Sequence, residues 1–453
     1  MIISVVWGQI TNKIYMLKRF IPSSGKSKSL VSRNHSYWLA LDRSINIFFS
    51  FCSSVLLARS LTVDSFAFYS FLTAILTITV SIGNLGISSL IIKKIILFKS
   101  KSEEVVEIFF KIKVMIFSLI FIISLGLISL SALSAHEKIT AFVFSLTLLA
   151  RPFDIYSIWF NANLKGANIF LARSTGSTIA LIAKIFLFAV KSSNIIYYSL
   201  TELLKNVISS FFFLAQSNFK NKSGLFKINF SAIKARVLLR GTAPLALSAF
   251  LQSIYYRVDQ VMLGSFGNTN ALANYTVSAQ FSEITLFIPV VYVASFYPML
   301  ISLNRDNKKE FIALFRQLFN KLLYIGLAMT AVSIVFSSFS PLLYGPNFSE
   351  VLSLTSLLSI SCIFIAIRAG ISKWLIINNL IKISTLSQAF GAIANIILNS
   401  ILIPKYGAYG AAFATTASHL IASYLVFIVL PVSKELRSIL LSAIIINRKY
   451  VRA

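Results

Sequence analysis

The sequence predicts an all-α, polytopic membrane protein with about twelve transmembrane helices in two six-helix halves around a central cavity. Of its 453 residues, 57% are hydrophobic and 12% are charged. This charged fraction is about half of the roughly 25% that is typical of a soluble domain. The apolar residues also form long runs, and a run of about 18 or more with few charges is typical of a membrane-spanning helix.

Twelve such runs follow one another in two groups of six. The first six spans are predicted near 37–59, 67–92, 108–133, 139–160, 168–190 and 195–215. The second six are predicted near 238–264, 272–300, 319–341, 348–370, 383–403 and 408–431. The predicted units are therefore an N-terminal segment 1–36, a first half 37–215, a basic connector 216–237, a second half 238–431 and a tail 432–453. Six spans on each side of a connector are typical of a duplicated transporter with its site between the halves.

The formal net charge of +28 is concentrated in alternate loops. The basic loops contain Lys13, Lys18, Arg19, Lys26, Lys28 and Arg33; Lys93, Lys94, Lys99, Lys101, Lys111 and Lys113; Lys220, Lys222, Lys227, Lys234, Arg236 and Arg240; and Arg305, Lys308, Lys309, Arg316 and Lys321. The opposite loops are short and contain little besides Arg59, Lys138, Lys191 and Lys405. This asymmetry predicts that both termini are cytoplasmic, and it accounts for the basic excess without a nucleic-acid partner.

Other residue types indicate no cofactor, metal site or disulfide framework. Cys52 and Cys362 both lie in apolar stretches, which is not the pattern of a disulfide-stabilised fold. The three histidines are scattered, and no nucleotide-binding glycine loop is present. The first ten residues, MIISVVWGQI, lack the basic region of a signal peptide, so they predict either an interfacial segment or a translation start at Met16.

Charged residues inside spans are costly and usually face a cavity. They are Asp42, Arg43, Arg151, Asp154, Arg173, Lys184, Glu202, Lys205, Arg257, Asp259, Glu283 and Arg368. The spacing of Arg151 with Asp154 and of Glu202 with Lys205 predicts two local ion pairs. Arg173 and Arg368 lie near span ends, where we expect their side chains to extend to the interface.

The first half contains more of the basic members of this set than the second half. A cavity between the halves would thus carry a positive bias on its first-half side, which suits a phosphate or pyrophosphate. Arg43, Arg151 and Lys184 are candidate binding residues for such an anion, and Asp154 is a candidate ion-coupling residue. Pro152, Pro244, Pro289 and Pro298 predict kinked helices.

Several blocks of the sequence resemble a known family. They are LARSLTVDSFAFYSF at 57–71, GNLGISSLI at 83–91, APLALSAFLQSIYYRVDQVMLGSFGNTNALANYTVSAQFSE at 243–283, LLYGPNF at 342–348 and ANIILNSILIPKYGAYGAAFATT at 394–416. Through these blocks, residues 37–431 resemble the polysaccharide repeat-unit (Wzx-type O-antigen) flippases of the multidrug/oligosaccharidyl-lipid/polysaccharide exporter superfamily. The last block is the most specific, and its characteristic residues are Asn395, Asn399, Pro404, Gly407 and Gly410.

The resemblance implies a flippase of the bacterial inner membrane. It would move an undecaprenyl-pyrophosphate-linked oligosaccharide from the cytoplasmic to the periplasmic leaflet, and a polysaccharide polymerase and a chain-length regulator would be its partners. Family members are thought to enclose a cationic lumen and to use a proton or sodium gradient. Within matched blocks, Asp259 and Glu283 are the candidate coupling residues, and Arg257 beside them is a candidate for pyrophosphate binding.

Three alternatives remain open from the sequence. A multidrug antiporter of the same superfamily would favour an acidic cavity, and a lipid II flippase usually has fourteen spans. A membrane O-antigen polymerase or ligase would need sizeable periplasmic loops, whereas the longest predicted outer loop has only about a dozen residues, so we expect a transporter and not an enzyme. No motif specifies the sugars or the coupling ion.

Overall fold

The computed structural model describes residues 26–84, 88–97, 102–217, 243–429 and 434–444. Within these ranges every regular element is a helix. Most of the predicted N-terminal segment, with Met1 and Met16, lies outside the described residues. The same is true of the predicted connector after residue 217 and of the end of the tail.

The described part of the first half contains eight helices. They are α1 (Lys26–Ser60), α2 (Val63–Asn84), α3 (Ser88–Leu97), α4 (Ser102–Leu130), α5 (Ala135–Leu146), α6 (Ile155–Ala162), α7 (Gly166–Ala189) and α8 (Ile195–Gln216). A 3-10 helix, Thr147–Asp154, joins α5 to α6 and contains Pro152. The fourth predicted span is therefore interrupted where its proline lies, because proline removes a backbone donor from the helix.

The described part of the second half contains nine helices and the tail one. They are α9 (Ala243–Ser265), α10 (Thr269–Glu283), α11 (Phe287–Asp306), α12 (Lys308–Ser337), α13 (Ser340–Tyr344), α14 (Val351–Ser359), α15 (Ser361–Ile377), α16 (Ile381–Leu420), α17 (Val426–Val429) and, in the tail, α18 (Lys434–Ile444). A 3-10 turn, Pro346–Phe348, precedes α14, and a π-helix, Ile421–Leu425, joins α16 to α17.

The helices account for about twelve membrane spans. Nine helical runs of the described residues are long and apolar enough to cross a membrane. The last run, Ile381–Val429, contains two spans, because the backbone leaves the helical region at Gly407 (φ 54°, ψ −128°). Helices α8 and α9, with 22 and 23 residues, are also long enough to span. The prediction of an all-α, multi-pass membrane protein is confirmed.

Two predicted spans and the placement of two lysines differ from the structure. The span predicted at 67–92 ends at Asn84, and the separate helix α3 follows it. The span predicted at 272–300 consists of two helices, α10 and α11, separated by three residues. Lys111 and Lys113 were grouped with a basic loop, but both lie in α4, as the span predicted at 108–133 implies; Lys113 is 1% exposed and its Nζ donates to Asn84 Oδ1 at 2.7 Å.

The first and fifth spans, α1 and α7, run parallel to each other along a polar seam. Arg173 Nη1 lies 3.2 Å from Asp42 Oδ2, and the Ser177 hydroxyl donates to Asn46 Oδ1 at 2.9 Å. Lys184 Nζ donates to Ser53 Oγ at 2.5 Å. Each pair is separated by 131 residues, and this constant separation sets the register of the two helices.

The two halves contact each other at one end of the helices. We call this region the closed end and define it by residues 59–66, 265–269 and 338–348. Arg59 Nε donates to Leu343 O at 2.7 Å, and the Thr269 hydroxyl donates to Asp64 Oδ1 at 2.6 Å.

Aromatic side chains fill the interface beside these polar contacts. The ring of Phe51 in α1 packs against Phe281, Phe336 and Tyr344, with ring centroids 5.7, 5.7 and 6.2 Å away. These rings belong to or pack against one hydrophobic cluster that includes residues from both halves. Because apolar contact excludes water, this cluster seals the interface next to the closed end.

Candidate functional site

A cavity of about 300 Å³ lies between the two halves. Its walls come from α1, α2, α7 and α8 of the first half and from α9 and α10 of the second. On α1 its lining residues extend from Asn46 to Leu57, which is about 16 Å of helix at a rise of about 1.5 Å per residue.

Lys184 is the most buried cation of this cavity. Its side chain lies on α7, is 4% exposed and donates to the Ser53 hydroxyl. The ammonium is also 5.9 Å from the centre of the Tyr69 ring. Among the residues that the structure describes, no carboxylate lies within ion-pair distance of Lys184. A buried, unpaired ammonium is a favourable partner for an anionic ligand.

The other charged lining residues form two ion pairs. Glu202 pairs with Lys205 on α8, as their spacing predicted. Arg257 on α9 reaches across to α10, where its Nη2 lies 3.0 Å from Glu283 Oε2. With Lys184, the described lining contains three cations and two carboxylates. The cavity therefore has one excess positive charge, and that charge comes from the first half.

Uncharged hydrogen-bonding side chains, which were not among the predicted site residues, make up much of the remaining wall. On α2 they are Tyr69, Ser70, Thr73 and Thr77, and across the cavity they include Gln260, Thr276 and Gln280. Single hydroxyls within apolar runs gave no signal individually. Their recurrence every three or four residues, which places them on one helical face, would have revealed this wall.

A second, smaller pocket of about 40 Å³ surrounds Asp259 within the second half. Asp259 is 3% exposed, and its Oδ2 accepts hydrogen bonds from the Tyr275 hydroxyl and, at 2.8 Å, from Thr415. Asp259 Oδ1 has no hydrogen-bond partner in the described part of the chain. Glu283 lines both this pocket and the larger cavity, so one carboxylate separates the two.

Two buried asparagines extend the polar network of this pocket. Asn395 Nδ2 donates to Ser418 Oγ at 3.1 Å and lies 3.5 Å from Thr415 Oγ1. Asn399 Nδ2 donates to Asn395 Oδ1 at 3.1 Å, as expected for amides one helical turn apart. Asn399 Oδ1, like Asp259 Oδ1, has no partner among the described residues.

The turn that follows these asparagines brings the last two spans together. Gly407 has φ 54°, a conformation that favours glycine. A Cβ at Gly410 would lie 3.1 Å from Ile403 N, so the backbone folds back tightly on itself here. Pro404 precedes the turn within α16. This reversal places Thr415 and Ser418 beside Asn395.

Three sequence-predicted residues, Arg43, Arg151 and Asp154, line neither the cavity nor the smaller pocket. Arg43 is exposed on α1, one turn beyond Asn46. Arg151 lies on the 3-10 helix, with its Nη1 3.8 Å from Asp154 Oδ2. The structure thus brings Lys184, Arg257 and Glu283 together, places Asp259 in the adjoining pocket and leaves Arg43, Arg151 and Asp154 outside the lining.

Of the two arginines that were expected to extend to the interface, Arg368 is held inside the bundle, so that prediction was wrong for Arg368. Arg368 Nη1 donates to Ser387 Oγ at 2.8 Å, its Nη2 donates to Ser384 O at 3.0 Å, and its guanidinium lies 5.3 Å from the Phe427 ring centre. Arg173 pairs with Asp42. Polar groups of neighbouring helices therefore satisfy the Arg368 guanidinium within the bundle, whereas the Arg173 side chain is exposed beside its Asp42 partner.

Comparison with known proteins identifies the family. Residues 33–304 match the family described as "Polysaccharide biosynthesis protein". The chain is 28% identical over 191 residues to "Probable flippase AglR" of Haloferax volcanii, covering 39% of this chain and 38% of that protein. It is 28% identical over 192 residues to "Capsular polysaccharide biosynthesis protein CapF" of Staphylococcus aureus, covering 40% and 46%. The matched segment therefore spans less than half the length of these curated relatives.

Solved structures show the same fold over most of the chain. The lipid II flippase MurJ in an inward closed conformation matches with a TM-score of 0.71 and 15% identity, covering 90% of each chain. An inward-facing MATE multidrug transporter matches with a TM-score of 0.68 and 14% identity, covering 88% of this chain and 95% of that one. These proteins are a flippase and a transporter, and none of the relatives described here is named as an enzyme.

The expected resemblance to a polysaccharide family is thus confirmed by sequence, and the expected resemblance to the exporters is confirmed at the level of the fold. The family match includes α1 through α10, with both sides of the cavity. The chain has the fold of the MurJ and MATE transporters of the multidrug/oligosaccharidyl-lipid/polysaccharide superfamily. Because the family match covers more than half of the chain, the chain belongs to the polysaccharide biosynthesis protein family.

Proposed function

We propose that the protein is a flippase for an undecaprenyl-pyrophosphate-linked oligosaccharide in a bacterial inner membrane. It would move this lipid from the cytoplasmic to the periplasmic leaflet by alternating access. The cavity between the halves carries the proposal, because it combines an unpaired buried ammonium with walls of hydroxyl and amide groups. The names of the curated relatives, a probable flippase and a capsular polysaccharide biosynthesis protein, support the same substrate class.

Lys184 and Arg257 would hold the pyrophosphate. A phosphate oxygen could replace the Ser53 hydroxyl as the acceptor of the Lys184 ammonium. Arg257 lines the same cavity and could bind the phosphates with the part of its guanidinium that does not contact Glu283. Charge-assisted bonds of this kind are about twice as strong as neutral ones. The polyprenyl chain would stay in the lipid while the sugars cross through the cavity.

The proposed orientation places the closed end at the periplasm and both termini in the cytoplasm. It rests on the alternation of basic and less basic loops along the sequence, in which residues 59–66 and 265–269 belong to the less basic set. In this orientation the described conformation is closed toward the periplasm by the Arg59 and Asp64 contacts. Transport would then require these contacts to open after the substrate has entered.

Ion coupling is proposed at Asp259. Its carboxylate, the Thr415 hydroxyl and the Asn399 amide offer oxygen atoms, and two of these, Asp259 Oδ1 and Asn399 Oδ1, have no partner in the described ranges. Such oxygens suit a proton at the carboxylate or a hard cation such as sodium. A bound ion would bias the conformational equilibrium by its differential affinity for the two states. Asp154 lies outside both pockets and is paired with Arg151.

An Asp259→Asn variant tests this coupling. We expect the variant to transport at a rate that no longer responds to an imposed proton or sodium gradient, whereas wild type responds. Asp306→Asn, at an exposed position at the end of α11, is the matched control and should respond like wild type. Equal responses of Asp259→Asn and wild type to both gradients would contradict the assignment of Asp259.

The flippase itself is tested in a deletion strain. Lipids would be extracted, their undecaprenyl-linked intermediates identified by mass spectrometry, and their leaflet determined with an impermeant probe. Complete single repeat units on the cytoplasmic leaflet, together with loss of surface polymer, support the proposal. Single units on the periplasmic face would indicate a polymerase, accumulated lipid II would indicate a peptidoglycan precursor flippase, and unchanged lipids would indicate a drug exporter.

A further inference from the structure

One face of α2 lines the cavity with hydroxyl groups that donate their protons to backbone carbonyls of the same helix. The Ser70 hydroxyl donates to Phe66 O at 2.8 Å, that of Thr73 to Tyr69 O at 2.9 Å and that of Thr77 to Thr73 O at 2.8 Å. Each hydroxyl therefore has its proton committed to its own helix, a common state of Ser and Thr in helices. Its lone pairs remain available, so this face accepts hydrogen bonds from a ligand.

The wall across the cavity contains uncharged polar groups beside the Arg257–Glu283 ion pair. Thr276 on α10 has a buried hydroxyl with no partner among the described residues. Gln260 on α9 is 4% exposed and lines the same cavity, and Gln280 Oε1 accepts from the Tyr344 hydroxyl at 3.2 Å. Because buried polar groups are normally hydrogen-bonded, the free Thr276 hydroxyl points to a polar ligand or water in this space.

The charge of the lining limits what that ligand can be. Three cations and two carboxylates leave a single excess positive charge, at Lys184. A lipid-linked pyrophosphate carries more than one negative charge and would already exceed this excess. A second anionic group in the same cavity would be without a partner, and an unpaired buried charge is costly. Apart from the phosphates held by Lys184 and Arg257, the part of the ligand that contacts α2 is therefore uncharged.

We infer that Ser70, Thr73 and Thr77 of α2 form a binding wall for uncharged sugars, whose hydroxyl groups donate to it. We call these three residues the α2 wall. This inference rests on the proposed function. It adds that the cavity has two subsites, one for sugars on α2 and one for the pyrophosphate at Lys184 and Arg257. The α2 wall selects neutral repeat units because its groups offer hydrogen-bond acceptors and no charge.

The test uses a Thr73→Val, Thr77→Val double variant of the full chain in proteoliposomes. Valine keeps the shape of threonine and removes its oxygen. The substrate is the lipid-linked repeat unit purified from the deletion strain, and the sugar-free probe is undecaprenyl pyrophosphate. We expect the double variant to flip the repeat unit about tenfold more slowly, the effect of losing two ordinary hydrogen bonds, and to bind the sugar-free probe like wild type.

Thr79→Val is the matched control. The Thr79 hydroxyl lies on the same helix and donates to Ile75 O at 2.7 Å in the same way, but it is not part of the cavity lining. Thr79→Val should therefore flip the repeat unit like wild type. If the double variant does not accumulate in membranes, Thr77→Val alone is expected to give about a threefold loss.

Each outcome decides between the two proposals. Equal rates for the double variant, Thr79→Val and wild type would overturn the α2 wall and leave the flippase intact. A wild-type protein that flips a repeat unit containing an acidic sugar would overturn the selection of uncharged sugars. Failure of wild type to flip any lipid-linked unit would instead contradict the proposed function.

Discussion

Arg59 and Asp64 are expected to hold the closed end shut. The Arg59 guanidinium donates to two carbonyl groups of the other half, Leu343 O at 2.7 Å and Leu342 O. Asp64 accepts the hydroxyl proton of Thr269 across the same interface. An Arg59→Gln, Asp64→Ala variant removes all three bonds, and we expect it to open toward this end more often than wild type does.

The size of the shift follows from these three bonds. Each hydrogen bond is assigned a net contribution of about 0.7 kcal/mol, in the low part of the usual range, because Arg59 is exposed. The three bonds together then contribute about 2 kcal/mol. This is roughly a 30-fold change in the equilibrium between closed and open states. A population of roughly 99 closed to 1 open would become roughly 3 to 1. The aromatic contacts of Phe51 remain, so the closed state stays the major one.

Cysteine accessibility measures this shift. Ser54 lines the cavity close to the closed end, and Ser54→Cys would be introduced after Cys52 and Cys362 have been replaced by serine. An impermeant maleimide is added to right-side-out vesicles, so that in the proposed orientation it reaches Ser54→Cys only through an opened closed end. Because the open fraction rises from about 1% to about a quarter, we expect labelling of the Arg59→Gln, Asp64→Ala protein to be roughly 20-fold faster than that of its parent.

Lys138→Gln is the control for this experiment. Lys138 is half-buried, and its Nζ donates to Ser129 O within the first half, so its loss breaks no contact between the halves. Labelling should remain at the parental rate. If the Arg59→Gln, Asp64→Ala protein is also labelled at the parental rate, the polar contacts do not hold the closed end and the reasoning fails.

Two further predictions concern single residues. Lys184→Met should reduce the affinity for undecaprenyl pyrophosphate by roughly 10- to 100-fold, the value of a charge-assisted hydrogen bond. Lys191→Met, at an exposed position just beyond α7, is the control and should leave the affinity unchanged in the same binding assay. Equal affinities of the two variants would show that Lys184 is not part of the pyrophosphate subsite. Gly407→Ala should destabilise the protein by about 1–3 kcal/mol because Gly407 has a φ of 54°. Gly126→Ala, with open space around it in α4, is the control and should be neutral or stabilising. Thermal unfolding in detergent measures both, and a lower melting temperature for Gly126→Ala than for Gly407→Ala would contradict this view of the turn.

The spans and the family were predictable because both depend on local patterns. Burial in a membrane acts on each stretch of about twenty residues independently, so the apolar runs predicted about twelve spans. The ion pairs Arg151 with Asp154 and Glu202 with Lys205 were predictable for the same reason, since the helical repeat brings residues three apart together. The break at Pro152 followed from the chemistry of proline.

The orientation of each charged side chain around its helix was not predictable. Arg43 and Arg151 were expected to bind substrate together with Lys184, but neither lines the cavity. Arg368 was expected to reach the interface, but serine side chains of α16 surround its guanidinium. A local pattern shows that a charge lies within a span and does not show which neighbouring helix will supply its partner.

The sequence alone determined the fold class, the number of spans and the residues that had to be accommodated within the membrane. The tertiary structure alone decided which of them share a cavity. Lys184 meets Ser53 across 131 residues, and Arg257 meets Glu283 across 26, because helices α1 with α7 and α9 with α10 pack in one specific register. Such a register depends on the shapes of two surfaces together, and neither helix carries that information by itself.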